Sequence, residues 1–191
     1  LDIEKLKEDI VFKDTIRGFD LTFHSTWGLF SPREVDAGSR LLIEFMEVGE
    51  SDVCLDIGCG YGVLGLSMAK LAPLGKVYMV DKDFVAVEYA KKNVTINQLT
   101  NCEVFLSNAF SHIPNYIKFD VIVSNLPANV GKEMLYIILS GAKGYLNEGG
   151  RLYVVTIAGL REFIKRNFKN IFGNYEKVKQ GREHAVHLGI K

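Results

Sequence analysis

The sequence predicts an α/β domain: a mostly parallel sheet with helices on both faces. Three observations predict it. From Val53 onward, short apolar segments alternate with helix-length ones. The early segments, such as Val53-Cys54-Leu55 and Val121-Ile122-Val123, are apolar throughout, as strands buried on both faces are. The last two strand-like segments, about 171–178 and 184–190, are joined by Gln180-Gly181-Arg182 with no helix between them. That pair is expected to run antiparallel at a sheet edge.

Before this regular region, residues 2–9 predict a short helix with Ile3, Leu6 and Ile10 on one face. Phe19, Leu21 and Phe23 alternate with Asp20 and Thr22, as in a half-buried strand. Residues 1–30 are therefore expected to form a small helix and hairpin extension packed on a core domain of residues 31–191. Ser31 can cap the next helix, with Pro32 at its first position; Val35, Leu41, Leu42, Phe45 and Met46 would line it as far as Gly49. The core then reads as strand 53–55, helix 63–71, strand 76–80, helix 84–94, strand 102–106, strand 121–123, helix 131–146, strand 152–157 and helix 160–168.

Bulk properties narrow the class. With 191 residues, 48% of them hydrophobic and no Pro/Gly/Ser-rich linker, the chain suits a single globular domain. Net charge is zero, but unevenly spread: residues 151–191 hold nine basic and three acidic residues, residues 1–60 six and thirteen. The basic end can face a phosphate backbone, and it equally suits a solvated surface. Cys54, Cys59 and Cys102 form neither a disulfide framework nor a zinc pattern, as expected of small buried residues in a reducing cytosol. The start of the chain carries Asp2, Glu4, Glu8 and Asp9, unlike a signal peptide, and no apolar run approaches the ~20 residues of a membrane span. A cytoplasmic protein with no membrane partner is expected.

In an open α/β sheet, ligands bind beyond the carboxyl ends of the strands where strand order reverses. The turn after the first core strand is Asp56-Ile57-Gly58-Cys59-Gly60-Tyr61-Gly62. Its alternate glycines let the backbone pass close to a ligand, and helix N–H groups follow. Asp81 ends the second core strand, 25 positions after Asp56, where a carboxylate can accept hydrogen bonds from a ribose diol. Both NAD and S-adenosylmethionine present that diol. A dinucleotide fingerprint needs a third glycine at position 63, which is Val63. A buried Asp56 also repels a pyrophosphate and suits an ammonium and a sulfonium. S-adenosylmethionine is therefore the expected cofactor. Asn108 and Ala109, after the third core strand, can flank an adenine. Asn125, in Ser124-Asn125-Leu126-Pro127-Ala128 after the fourth, can accept a hydrogen bond from an exocyclic amino group, in a loop stiffened by Pro127.

These motifs resemble those of the "small domain" class of S-adenosylmethionine-dependent methyltransferases, which includes ribosomal small-subunit RNA guanine-N2 methyltransferases and archaeal relatives. The resemblance runs from about Phe12 to the C-terminus. It rests on Gly28-Leu29-Phe30-Ser31, on Val35-Asp36-Ala37-Gly38-Ser39-Arg40-Leu41-Leu42, on Leu55 to Gly62 and on Asn125-Leu126-Pro127. It implies a Rossmann-like seven-stranded sheet with the last strand antiparallel. It implies that Asp56, Ile57, Gly58, Cys59, Gly60, Tyr61, Gly62, Asn125 and Asp81, with Lys82 beside it, bind the cofactor, and that Asn108 and Ala109 lie by the adenine. Asn125 would meet the target nitrogen, with Pro127 part of the catalytic motif, and Phe30, Ser31, Leu126 and Ala128 would face the substrate. RNA, ribosomal RNA or a ribosomal particle above all, is the implied partner.

The motif departs from the family pattern of Asn-Pro-Pro followed by a bulky residue: Leu126 replaces the first proline and Ala128 the bulky residue. The ring that stacks on a flipped base is thus missing at 128. Trp27 or Phe30 can supply a stacking surface, although core packing is the commoner fate of a lone Trp. Other readings stay open: methylation of a protein or small-molecule nitrogen, or a cofactor-binding module without catalysis. His24, His112, His184 and His187 are scattered, and the last two point to opposite faces of one strand, so no metal site is expected. Lys132, Arg161, Lys165, Arg166 and Lys169 suit phosphate contact as well as solvated helix faces.

Overall fold

The computed structural model describes residues 1–191. Its elements in chain order are α1 (Ile3–Lys7), β1 (Ile10–Ile16), β2 (Phe19–Ser25), α2 (Ala37–Phe45), β3 (Val53–Ile57), α3 (Val63–Leu71), β4 (Lys76–Asp81), α4 (Phe84–Ile96), β5 (Cys102–Leu106), β6 (Phe119–Asn125), α5 (Lys132–Tyr145), β7 (Leu146–Ile157), α6 (Arg161–Phe172), β8 (Glu176–Gln180) and β9 (His184–Ile190). A seven-stranded sheet runs β5-β4-β3-β6-β7-β9-β8. Pairs among β3 to β7 are parallel, and β9 lies antiparallel between β7 and β8. Strand order reverses at β3, between β4 and β6, so a crevice opens there.

Two apolar cores flank the sheet. One joins Cys54, Val77, Met79, Val121, Val123, Tyr153 and Val186 to residues of α2, α3 and α4. The other joins Leu55, Val80, Ile122, Leu152 and Val154 to α5 and α6. Successive strand residues alternate between these cores, as the period of two requires. That alternation fixes which residues at the strand ends share a face. No helix is long and apolar enough to cross a membrane.

The extension is a two-stranded hairpin, closed at Ile16↔Phe19 by Arg17 and Gly18, both at positive φ. Leu21 and Phe23 are buried in the core beside α2–α4. Asn97, the C-cap of α4, answers the backbone of Thr22 with both ends of its amide, at 2.9 and 2.8 Å. Asn93 does the same for His24, at 2.7 and 2.9 Å. Arg17 reaches the carbonyls of Ile43 (3.3 Å) and Met46 (2.9 Å) at the C-terminal end of α2, where a cation suits the helix dipole.

The first helix is five residues long, buries none of them, and leaves Ile10 to β1. The next helix begins at Ala37 rather than at Pro32: Ser31 sits at positive φ and Asp36 is the cap, accepting from Ser39 N at 3.0 Å. The penultimate strand begins at Glu176 rather than near 171, because α6 continues to Phe172 and stops at left-handed Gly173. Trp27 is 45% exposed, with the Arg33 guanidinium 4.6 Å from its ring centre, so it is no core residue.

Of the four histidines, His187 is fully buried and accounted for by packing. It is 2.9 Å from Thr156 Oγ1 and from Tyr175 OH, and burial lowers its pKa to about 4.

Candidate functional site

The crevice at the strand-order reversal is a cleft of about 550 Å³. Strand alternation brings its polar residues together. Asp81 and Asn125 end β4 and β6, Asp56 is the penultimate residue of β3, and each lies two residues beyond a strand residue of the α2–α4 core: Met79, Val123 and Cys54. All three therefore project to that side, and all line the cleft. His184, opening the antiparallel β9, reaches the same cleft beside Ile157 of β7.

Asp56 is 1% exposed. Gly62, the N-cap of α3, has no side chain to cap it, and Asp56 Oδ2 accepts from Gly65 N in its place at 2.9 Å. Asp56 Oδ1 is buried without a hydrogen-bond partner. Burial, with a smaller contribution from the Asp81 charge, pushes this carboxyl up to about 7 despite the Gly65 bond. A buried, half-satisfied carboxyl lining a cleft suits a ligand cation.

Asp81 shapes the turn. Its Oδ2 accepts from Gly60 N and its Oδ1 from Asp83 N, both at 2.9 Å. Each oxygen keeps a lone pair for a diol hydroxyl. Gly58 and Gly60 have φ of 70° and 55°, and a Cβ on either meets no protein atom within 4 Å. Side chains there would fill open cleft rather than core.

Tyr61 anchors the turn from its other side. Its hydroxyl lies 2.7 Å from Ser31 O and 3.2 Å from Glu34 O, and its carbonyl accepts from Asn93 Nδ2 at 2.8 Å. Asn125 forms the opposite wall. Its Nδ2 donates to Asp36 Oδ2 and Ser39 Oγ, both at 3.0 Å. Leu126 is 5% exposed, and its N–H, which a proline lacks, donates to Val155 O at 3.0 Å. Leu126 thus extends the β6–β7 ladder at the point where the family pattern has proline.

Of the expected cofactor residues, Asp56, Gly58, Cys59, Gly60, Tyr61, Asp81, Lys82 and Asn125 line the cleft. Ile57 does not: alternation turns it into the core beside α5 and α6, where it is buried. Gly62 serves as the helix cap instead. Asn108 is exposed and Ala109 packs on the α5–α6 core, both beyond the end of edge strand β5 and outside this cleft. Among the expected substrate residues, Phe30 (73% exposed), Leu126 and Ala128 line it together with Pro127; Ser31 does not, its hydroxyl donating to Glu34 O at 2.6 Å.

Sequence reasoning gave no roles to Asp36, Ser39, Gly65 and His184. Asp36 was legible as a cap followed by apolar helix positions. The placement of His184 depends on the antiparallel insertion of β9 and has no local signal.

The fold and this cleft define an S-adenosylmethionine-dependent methyltransferase of Rossmann-like architecture. Residues 20–187 match the family described as "Methyltransferase small domain", and the chain belongs to that family. It is 38% identical over 141 residues to YbxB of Bacillus subtilis (strain 168), which covers 73% of this chain and 70% of that protein. It is 35% identical over 172 residues to "Ribosomal RNA small subunit methyltransferase C" of Haemophilus influenzae (strain PittGG), covering 88% of this chain and 51% of the relative. The Thermus thermophilus 16S rRNA N2 G1207 methyltransferase, solved with AdoMet and guanosine, superposes with a TM-score of 0.86 at 28% identity, over 95% of this chain and 50% of that one. The chain thus spans about half the length of these two ribosomal RNA methyltransferases.

Proposed function

We propose that the chain methylates an exocyclic amino group of ribosomal RNA, with guanine N2 as the target. The observation that carries this reading is the pairing, in one cleft, of a cofactor-type wall (Asp56, Asp81) with Asn125, whose amide nitrogen is already hydrogen-bonded to the protein. The named activities of two similar proteins support it. Residues 31–191 carry the methyltransferase and residues 1–30 are an extension docked on it. A ribosomal RNA substrate would make it a cytoplasmic enzyme.

When bound, S-adenosylmethionine supplies an electrophilic methyl group on a sulfonium. Asp56 would hold its ammonium, Gly58 and Gly60 would give it room, and Asp81 would hold its ribose. An aromatic amine is a poor nucleophile because its lone pair is delocalised. Asn125 Oδ1 and the Leu126 carbonyl accept its two hydrogens, turning the lone pair away from the ring and facing the positive charge that develops on nitrogen. The surplus proton then leaves to water, so no histidine is needed as a base.

Phe30 at the cleft mouth supplies the flat surface that Ala128 lacks, with Trp27 and Arg33 outside it. Helix α6 starts just beyond the β7 end of the cleft. It presents Lys165, Arg166 and Lys169, none in an ion pair, alongside Arg161 for phosphate contact. Labelled methyl mapping on total RNA tests the reading. Label on a guanine exocyclic nitrogen is expected; label only in protein or small molecules overturns it.

A further inference from the structure

We propose that Asp36, assisted by Ser39, is the positioning residue that decides which end of the Asn125 amide faces the target. This deepens the amino-group reading above and rests on it. An asparagine amide presents an oxygen and a nitrogen that are nearly alike in shape, and only the oxygen can accept an amine hydrogen. A carboxylate has no hydrogen to give. The atom of Asn125 that touches Asp36 Oδ2 at 3.0 Å must therefore be the nitrogen. Its second hydrogen goes to Ser39 Oγ, also at 3.0 Å. Both amide hydrogens are spent, and a half-turn would set the amide oxygen against a carboxylate. Oδ1 is left for the cleft.

The acceptors are mounted rigidly. Asp36 Oδ2 also accepts from Ser39 N, the capping bond of α2, and the far end of that helix is held by Arg17. A Cβ at Gly38 would sit 3.1 Å from Asp36 Oδ2 and 3.0 Å from His184 Cδ2. Glycine there leaves the carboxylate room to reach Asn125. The negative charge behind the amide also polarises it, adding electron density to Oδ1 where positive charge develops during transfer. Asp36 touches neither substrate nor cofactor in this scheme and acts through Asn125 alone.

Capping and positioning can be separated. Asp36→Ser keeps a good N-cap but is too short to reach Asn125. Asp36→Asn keeps an oxygen that can take both bonds and removes the charge. In the full chain labelled with 15N-asparagine, the Asn125 side-chain NH2 protons, assigned by their loss in Asn125→Ala, should exchange slowly. Protection should be lost in Asp36→Ser and kept in Asp36→Asn. In methyl transfer to ribosomal RNA, Asp36→Ser should lower kcat by about 10- to 100-fold, the scale of a small misplacement of a catalytic group. KM for RNA, cofactor affinity and Tm should stay near wild type, and Asp36→Asn should restore most of the rate. Unchanged amide protection in Asp36→Ser overturns the proposal, as does a kcat loss that moves in step with Tm and cofactor affinity. If the wild type transfers no methyl to RNA, the amino-group reading falls, and the amide exchange still decides whether Asp36 holds Asn125.

Discussion

Asn93 Nδ2 donates to the carbonyl of Tyr61 at 2.8 Å, tying the helix after β4 to the glycine turn after β3. The same side chain pairs with the backbone N–H and C=O of His24 in the hairpin. One fully buried amide thus joins extension, helix and cofactor turn. Asn93→Ala leaves the buried Tyr61 carbonyl and two half-buried main-chain groups of His24 unpaired, each worth about 1–3 kcal/mol. Urea unfolding should show a loss of at least about 3 kcal/mol, beyond the usual range for a surface change. A loss below about 1 kcal/mol would mean that the hairpin is only loosely docked.

Asp81 is expected to hold the cofactor ribose. Asp81→Ala should weaken S-adenosylmethionine binding by about 1.5–3 kcal/mol, the worth of a hydrogen bond to a charged group. Titration calorimetry with unchanged affinity would remove Asp81 from the cofactor wall.

With the cofactor ammonium beside Asp56, cofactor binding should depend on pH. Burial raises its carboxyl from 3.8 to about 7, so between those values the folded chain holds a proton that the unfolded chain has lost. This group's contribution to stability is therefore fully present below pH 3.8 and falls as pH rises toward 7. A ligand ammonium beside Asp56 favours the carboxylate and pulls that pKa back down. Cofactor binding at pH 6 should then release a proton, seen as a calorimetric enthalpy that varies with buffer ionisation enthalpy. Asp56→Asn should abolish the variation. A buffer-independent enthalpy in the wild type would place the ammonium elsewhere.

The basic face of α6 is expected to hold RNA. Affinity should fall steeply with added salt, and reversing Arg161, Lys165 and Arg166 to Glu should weaken RNA binding without affecting cofactor affinity. Salt-insensitive binding, or binding that survives the reversal, would assign the contact to another surface.

The fold was legible wherever a segment's own pattern decides its structure. Helix 63–71 and strand 102–106 match to the residue, because apolar runs bounded by Gly62 and by Asn101 and Ser107 leave little choice. That Gly58, Gly60 and Asp81 line the cleft was legible because alternate glycines and a strand-end carboxylate gather where strand order reverses. What escaped was set by tertiary contact. Ser31 and Asp36 are both plausible caps, and Asp36 is the one facing the Ser39 N–H, while a Tyr61 hydroxyl bond holds Ser31 out of the helix. Ile57 belongs to the motif in sequence but falls on the other face of the sheet by alternation. The reach of Asn125 to Asp36 spans 89 positions and has no local trace.

In the proposed mechanism, Asn125 makes the cleft an amine methyltransferase by orientation and charge, without a strong base. Single-turnover methyl transfer to unmodified ribosomal RNA or ribosomal subunits, wild type against Asn125→Ala, tests it most directly. The rate should fall by about 10²–10³-fold, the scale for losing one preorganised polar partner, with cofactor affinity nearly unchanged because the expected ribose and ammonium contacts lie on other strands. A near-wild-type rate for Asn125→Ala would contradict it.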